Sequence, residues 1–268
     1  MIIDFHAHCF PDAVAAAALP KLAAHGGVRE PYFDGTAAGL LAAMDAAGID
    51  RCVVANIATN PGQQRAVNDF AISLLENNRF IPFGSVHPES PGAFDELRRL
   101  KDAGIRGIKL HPDYQGFFPD EPRVFPIYRE AARLGLITLF HAGVDIGLCC
   151  PVRSTPERLA RALPQFGGAP VVAAHFGGYI LWREVIDHLC GRDINFDTSY
   201  CARKMPPPWA KEIIAAHGAG RVLFGTDLPW VDPLDEIVFA RLVSKDEAMA
   251  ADILGNNAAR LLRMEEST

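Results

Sequence analysis

His6 and His8 stand two apart just beyond the first apolar run of the chain, Met1–Phe5. Strand side chains alternate faces, so histidines at this spacing point the same way and can grip one ion. The arrangement recurs. Later apolar runs end on groups able to ligate metal or move a proton: Lys109 and His111 in GIKLHP, His141 in TLFHAG, His175 in VVAAHFGG and Asp227 in VLFGTDLP. Any one of these histidines could be a core residue satisfied by a backbone carbonyl. Five of the nine histidines at equivalent places, with one aspartate, are not scatter. Three imidazoles and a carboxylate suit a borderline divalent ion, zinc first, with iron, manganese, nickel or cobalt as alternatives.

The elements that must carry these groups alternate along the chain. Strands are expected at Met1–Phe5, Arg51–Ile57, Phe80–Val86, Gly107–Leu110, Leu136–Phe140, Pro170–Ala174, Asp193–Phe196 and Arg221–Phe224. After the first comes a long loop or short helix, because the apolar run Ala13–Leu19 stops at Pro20. Helices are expected at Thr36–Ala47, Gln63–Glu76, Ala93–Ala103, Val124–Leu134, Thr155–Leu163, Leu181–Leu189, Pro208–Ala216 and Asp235–Arg241. Gly48 reads as a C-cap and Pro156 as a helix start. A last helix, roughly Lys245–Leu262, closes the chain.

Short apolar strands indicate parallel pairing with both faces covered. Eight such units predict an α/β fold, a (β/α)8 TIM barrel with an extra C-terminal helix, as a single domain over residues 1–268. An open doubly wound sheet is the competitor, but no GxGxxG or GxxxxGK loop follows an early strand. In a barrel the C-terminal strand ends meet on one face, where chemistry sits.

Bulk properties narrow the partners. The 268 residues carry 26 basic against 32 acidic side chains, and no basic cluster interleaved with aromatics, which argues against nucleic acid. No membrane span and no signal peptide are expected, since Asp4 and His6 occupy the N-terminal stretch. Six cysteines without a CxxC or an even framework suit a reducing cytoplasm. Cys9, Cys149, Cys150 and Cys201 fall in loops of the functional face but match no metal motif, and Cys201 has no evident partner as a nucleophile. A small-molecule substrate and a homodimer are expected.

His6-Ala-His8, His141, His175 and Asp227, with GIKLHP at 107–112, FGTDLP at 224–229 and ILGNNAARLL at 253–262, resemble the amidohydrolase superfamily nearly end to end. The closest likeness is to its amidohydrolase-related branch, which includes aminocarboxymuconate-semialdehyde and resorcylate-type decarboxylases. The resemblance implies the same barrel, with His6, His8 and Asp227 as ligands of the more buried metal. It makes His141 the strand-five ligand and His175 a ligand or a catalytic group. In two-metal relatives a strand-four lysine is carboxylated and bridges both ions. The branch resembled here mostly uses one ion, so Lys109 is left between bridging, holding a substrate carboxylate, and pairing with Asp113. His111 is either a substrate contact or a satisfied histidine. One ion is expected rather than two.

A bound divalent ion brings water toward ionisation at neutral pH, and Asp227 is the group expected to take its proton, with His175 polarising or protonating the substrate. His6 and His8 must be neutral to ligate, so activity should fall in acid. The first expectation is a hydrolase of a small-molecule C–N or C–O bond, in an amide, cyclic imide, ester or lactone. The chain is short for the decarboxylases of the branch, which favours hydrolysis. The alternative is a metal-dependent non-oxidative decarboxylase of a small unsaturated or aromatic acid, with Lys109, Arg153 and Arg203 as candidate cations. A third alternative is a non-catalytic, metal-retaining binding barrel. Phe10, Tyr114, Phe176, Tyr200 and Trp230 are candidate pocket-lining residues, with Phe117, Phe118 and Tyr179 nearby.

Overall fold

The computed structural model describes residues 1–27, 30–148 and 150–264. Eight parallel strands follow one another: β1 Ile3–Ala7, β2 Arg51–Ala55, β3 Phe80–Phe83, β4 Gly107–Leu110, β5 Ile137–Phe140, β6 Val171–Ala173, β7 Asn195–Asp197 and β8 Val222–Leu223. Ladders join β1 to β3 and β4 to β8. Single parallel bridges, Gly84 to Ile108 and Ala7 to Leu228, close the two seams into the expected (β/α)8 barrel. At the second seam Phe5 N donates to Phe224 O, His8 N to Leu228 O and Asp227 N to His6 O, at 2.7–2.8 Å.

Alternation sorts the strand residues into two cores. Ile3, Phe5, Val53, Ala55, Ile81, Phe83, Ile137, Leu139, Val172, Ala174 and Leu223 form the inner one, and their neighbours in sequence pack outward beneath the helices. The pairing of β1 with β2 slips between Asp4 and Ala7. That irregularity matters for the site. Phe5 packs edge-on against Phe83 in the inner core, yet its neighbour His6 still reaches Lys109, Asp197 and Asp227.

The expected C-cap and helix start are present, and Thr36 and Thr155, expected as first helical residues, act as N-caps. Thr36 accepts from Gly39 N, Gly48 closes that helix in the left-handed region at φ 69°, and Thr155 caps the helix that begins at Pro156. Two expectations change. The segment after β1 forms a full helix, Asp12–His25, with Pro20 inside it. The closing helix is not continuous: helices Glu247–Ala251 and Asn257–Leu261 flank a π-helical turn at Asp252–Asn256. Ala258 and Leu262 from this closing segment join the inner core, and Phe224 N donates to Ile253 O. Among the described residues no helix is long and apolar enough to cross a membrane.

Candidate active site

Hydrogen bonds made by the far side of each imidazole decide what its near side offers. His8 Nδ1 lies 2.8 Å from Ala55 O, and a carbonyl only accepts, so that nitrogen carries the proton. In the neutral ring Nε2 is then a bare lone pair. His6 Nδ1 donates to Asp197 Oδ2 at 2.9 Å, which leaves His6 Nε2 bare as well. Both Nε2 atoms face Asp227 Oδ1, at 3.1 Å from His8 and 3.5 Å from His6. Three electron-pair donors thus converge with no proton of their own between them. A divalent ion fits this set, and the three residues satisfy the spacing of a metal site.

The groups behind the ligands are themselves fixed. Asp4 is fully buried, accepting from His6 N, Thr226 N and Thr226 Oγ1, so one carboxylate ties the β1 end to the β8 end. Burial pushes its carboxyl up to about 7, against the pull of those hydrogen bonds. Asp197, also buried, accepts from His6 Nδ1, His175 N, Ser199 N and Ser199 Oγ. Burial alone would raise the Asp197 carboxyl, but His6 and the other donors hold it below the usual range. The Asp227 carboxyl is likewise held below the usual range despite its burial, by the nearness of His8, His6 and His175. Burial, helped by the Lys109 charge, lowers His6 to about 4, which keeps the ring neutral and ready to ligate.

Lys109 is buried, and its Nζ lies 3.0 Å from His6 Nε2. It does not pair with Asp113, whose Oδ1 accepts from Arg153 N. Burial lowers the ammonium to about 8, with Asp197 and Asp227 opposing.

His175 and His141 form a second rank. His175 Nδ1 is 2.9 Å from Ser199 O and therefore protonated, so its Nε2 is the acceptor for His141 Nδ1 at 3.2 Å. His141 Nε2 is then bare, and it is buried with no partner among the described residues. An orphaned buried acceptor costs about 1–3 kcal/mol, so this atom calls for explanation. His111 stacks on His141 with rings parallel at 4.2 Å, accepts from Tyr114 N, and lies 3.3 Å from Asp145 Oδ2. The structure therefore divides the expected ligand set. His6, His8 and Asp227 meet at one point, while His141 falls into another cluster with His111 and Asp145.

Two of these residues occupy backbone conformations that side chains seldom adopt. His175 has φ 59° and Asp227 φ 73°. Such residues persist where neighbours overdetermine them, here Asp197 at His175 N and His6 O at Asp227 N.

The other candidates separate clearly. Tyr114 stands edge-on to His111, and Tyr200 lies 5.6 Å from Tyr179 with Lys204 Nζ over its ring. Phe10 and Trp230 are half-buried, near Gly35 and Asp227 respectively. Phe176 is not a lining residue: its left-handed backbone, φ 54°, turns the ring into the core against Phe239. Phe117 is wholly buried. Arg203 is a surface partner of Asp235, and the Arg153 guanidinium lies over Phe118. Burial pushes the Cys9 thiol up to about 12 and Cys201 well above its usual value, the opposite of a nucleophile's needs. Cys149 lies outside the described residues. Asp197 and Ser199 escaped the sequence analysis although INFDTS ends a strand as GIKLHP does. Asp145 follows no strand-end rule and had no such signal.

Comparison with known proteins bears on these groups. A family model described as Amidohydrolase matches residues 3–264. A curated relative, 2-amino-3-carboxymuconate-6-semialdehyde decarboxylase of Dictyostelium discoideum, is 26% identical over 74% of this chain, and the match spans 66% of that relative's length. Among solved structures, 5-carboxyvanillate decarboxylase of Sphingomonas paucimobilis superposes with a TM-score of 0.74 at 19% identity, covering 98% of this chain and 99% of that one. An uncharacterised TIM-barrel protein of Bordetella bronchiseptica gives 0.75 at 22% identity, covering 98% of each. At these identities the solved structures speak to the fold. The expectation of C–N or C–O hydrolysis is corrected: the curated relative is a decarboxylase, and decarboxylases recur among the structural neighbours.

Proposed function

Since the chain belongs to the amidohydrolase family of metal-binding enzymes, we propose that it is a metal-dependent non-oxidative decarboxylase of a small unsaturated or aromatic acid. The observation that carries this is the buried Lys109 ammonium, 3.0 Å from His6 Nε2 and so at the edge of the convergent donors. Loss of carbon dioxide needs a cation to hold the departing carboxylate and a proton to replace it. The activity of the curated relative supports the same reading.

His6, His8 and Asp227 hold the ion, and zinc or manganese suits two imidazoles and a carboxylate. A divalent ion held there would supply Lewis acidity. Lys109 pairs with the substrate carboxylate. As the carbon–carboxylate bond breaks, its electron pair stays on carbon, and His141 and His175 relay the proton that carbon then takes. Asp197 and Ser199 hold His6 and His175 in their required tautomers. Tyr114, Tyr200, Phe10 and Trp230 face a flat substrate. We place the protein in the cytoplasm as a single domain, a homodimer that does not bind nucleic acid.

The test is carbon dioxide release from a panel of hydroxy- and aminobenzoates and muconate-type acids, with the protein loaded with zinc or manganese. Release that disappears in Lys109→Met while the ion is retained supports the proposal. Turnover of amides or lactones, with no carbon dioxide from any acid, overturns it.

A further inference from the structure

Helix Pro233–Val243, which follows β8, turns an apolar row to solvent. Leu234, Val238 and Leu242, each four residues from the next, are 49%, 64% and 53% exposed. Ile237, Phe239, Ala240 and Val243 of the same helix are buried and already hold it on the barrel, so the outer row has no work within one chain. The helix beside it, Ala37–Ala47, exposes Ala38, Ala42 and Ala46 at the same spacing, and Asp45 is its one charged residue. Single exposed apolar residues are ordinary, whereas adjacent rows make a patch that a partner covers. A helix apolar on both sides belongs in an interior.

The charges around the patch select the partner. Asp232 and Asp235 stand at the first turn of Pro233–Val243, and Arg241 and Lys245 at its far end, with Asp246 and Glu247 just beyond. An anionic lipid surface or a nucleic acid would call for a basic rim, and this rim is mixed. It is instead matched to itself. Leu234 and Leu242 lie four residues either side of Val238, and Asp235 and Arg241 lie three either side. Asp235 pairs with Arg203 and Arg241 with Glu247, each at 2.8 Å, but Arg203 and Glu247 are well exposed, and such surface pairs are weak enough to admit another charge.

We propose that this patch is the contact between two copies of the chain, their Pro233–Val243 helices crossing antiparallel with Val238 at the two-fold axis. In such a contact, what lies a given distance before Val238 meets what lies the same distance after it on the other copy. Leu234 packs on Leu242 of the second copy, and Asp235 comes level with its Arg241. The acidic end of each helix then lies beside the basic end of the other. Rows of residues four apart interlock in the commonest class of helix packing, and the small side chains of Ala38, Ala42 and Ala46 leave room for the approach. The inference rests on the homodimer reading and gives that dimer its contact face. It does not depend on the reaction catalysed.

Sedimentation velocity of the full chain at micromolar concentration reads the oligomeric state, and the wild type is expected at twice the protomer mass of 29.1 kDa. Val238→Glu sets two like charges against each other at the axis, so the dimer dissociation constant should rise by about 100-fold or more. Because Val238 is exposed in the single chain, circular dichroism of this variant should match the wild type. Asp235→Arg and Arg241→Asp should each weaken the dimer, and the double variant should recover it. Val238→Cys should give a disulfide-linked dimer on mild oxidation that the wild type, with its six native cysteines, does not. A dimer unmoved by Val238→Glu, or one that Val238→Cys fails to trap, overturns this contact and leaves the homodimer reading standing. A double variant no tighter than either single one overturns the antiparallel crossing. A wild type that sediments as a monomer overturns the contact and the homodimer reading together.

Discussion

His8 Nε2 lies 3.1 Å from Asp227 Oδ1 although the proton of that imidazole is committed on the opposite nitrogen, to Ala55 O. Without an ion, a lone pair faces a carboxylate. Asp227→Asn replaces that repulsion with an N–H donor of the same shape. In chelator the Asn variant should therefore melt no lower than the wild type. With zinc or manganese added, the order should reverse, because only the wild type gains binding energy from the ion. Thermal melts with and without chelator decide this, and a variant that gains as much as the wild type from metal would remove Asp227 from the ligand set.

Asp197 fixes the tautomer of His6 from behind. Asp197→Asn keeps the volume and loses the charge, and partners of this kind set ligand basicity. Metal affinity should fall about 10–100-fold, measured by competition with a chromophoric chelator. An unchanged affinity would mean that Ser199 Oγ, 3.0 Å from His6 Nδ1, suffices alone.

Lys109 and the ion compete for His6 Nε2. Lys109→Met should hold the ion at least as tightly as the wild type while carbon dioxide release falls by about 100-fold or more. Loss of metal together with activity would show the lysine to be part of the metal site and not a carboxylate clamp.

Gly143 follows His141 by two residues, at φ 89°, and pairs with Tyr179 across the site. A Cβ there would overlap the Tyr179 backbone nitrogen. Gly143→Ala should cost more than about 2 kcal/mol in denaturant unfolding, since both the dihedral and the space are wrong. A shift within experimental error would show that the turn at 175–179 can move aside.

Far from the site, His217 donates from Nε2 to Ile194 O and accepts Gly191 N at Nδ1. Burial lowers it to about 4 from 6.5. The unfolded chain takes its proton first as pH falls, so the contribution is complete above pH 6.5 and is lost on the way to pH 4. His217→Gln should be less stable than the wild type at pH 7.5, and the gap should narrow by pH 4.5. A gap that stays constant would mean that the fold tolerates the imidazolium.

The alternation of strands and helices was legible because parallel strands buried on both faces leave continuous apolar runs, and the site was legible because barrel geometry gathers their ends. His6, His8, Lys109, His141, His175 and Asp227 all lie at the strand ends, although His141 groups with His111 and Asp145 and not with His6, His8 and Asp227. Local backbone detail was not legible. The slip in β1 brings Phe5 and His6 into one interior, which strict alternation forbids. The left-handed turn at 175–177 sends Phe176 to the core, and its sequence carries no mark of that reversal. Pro20 looked like a stop, yet it is accommodated inside the Asp12–His25 helix. Asp145 could not be found by periodicity, since a loop has no period.

The single bridge from Ala7 to Leu228 joins the first strand of the barrel to the segment after its last, and His8 meets Asp227 across 219 residues. A ribosome delivers His6 and His8 well before Asp227. Until β8 emerges, the nascent polypeptide holds two of the three proposed ligands with nothing to complete them. Completion of the proposed site is thereby deferred until β8 has been made, and a product truncated before β8 lacks Asp227.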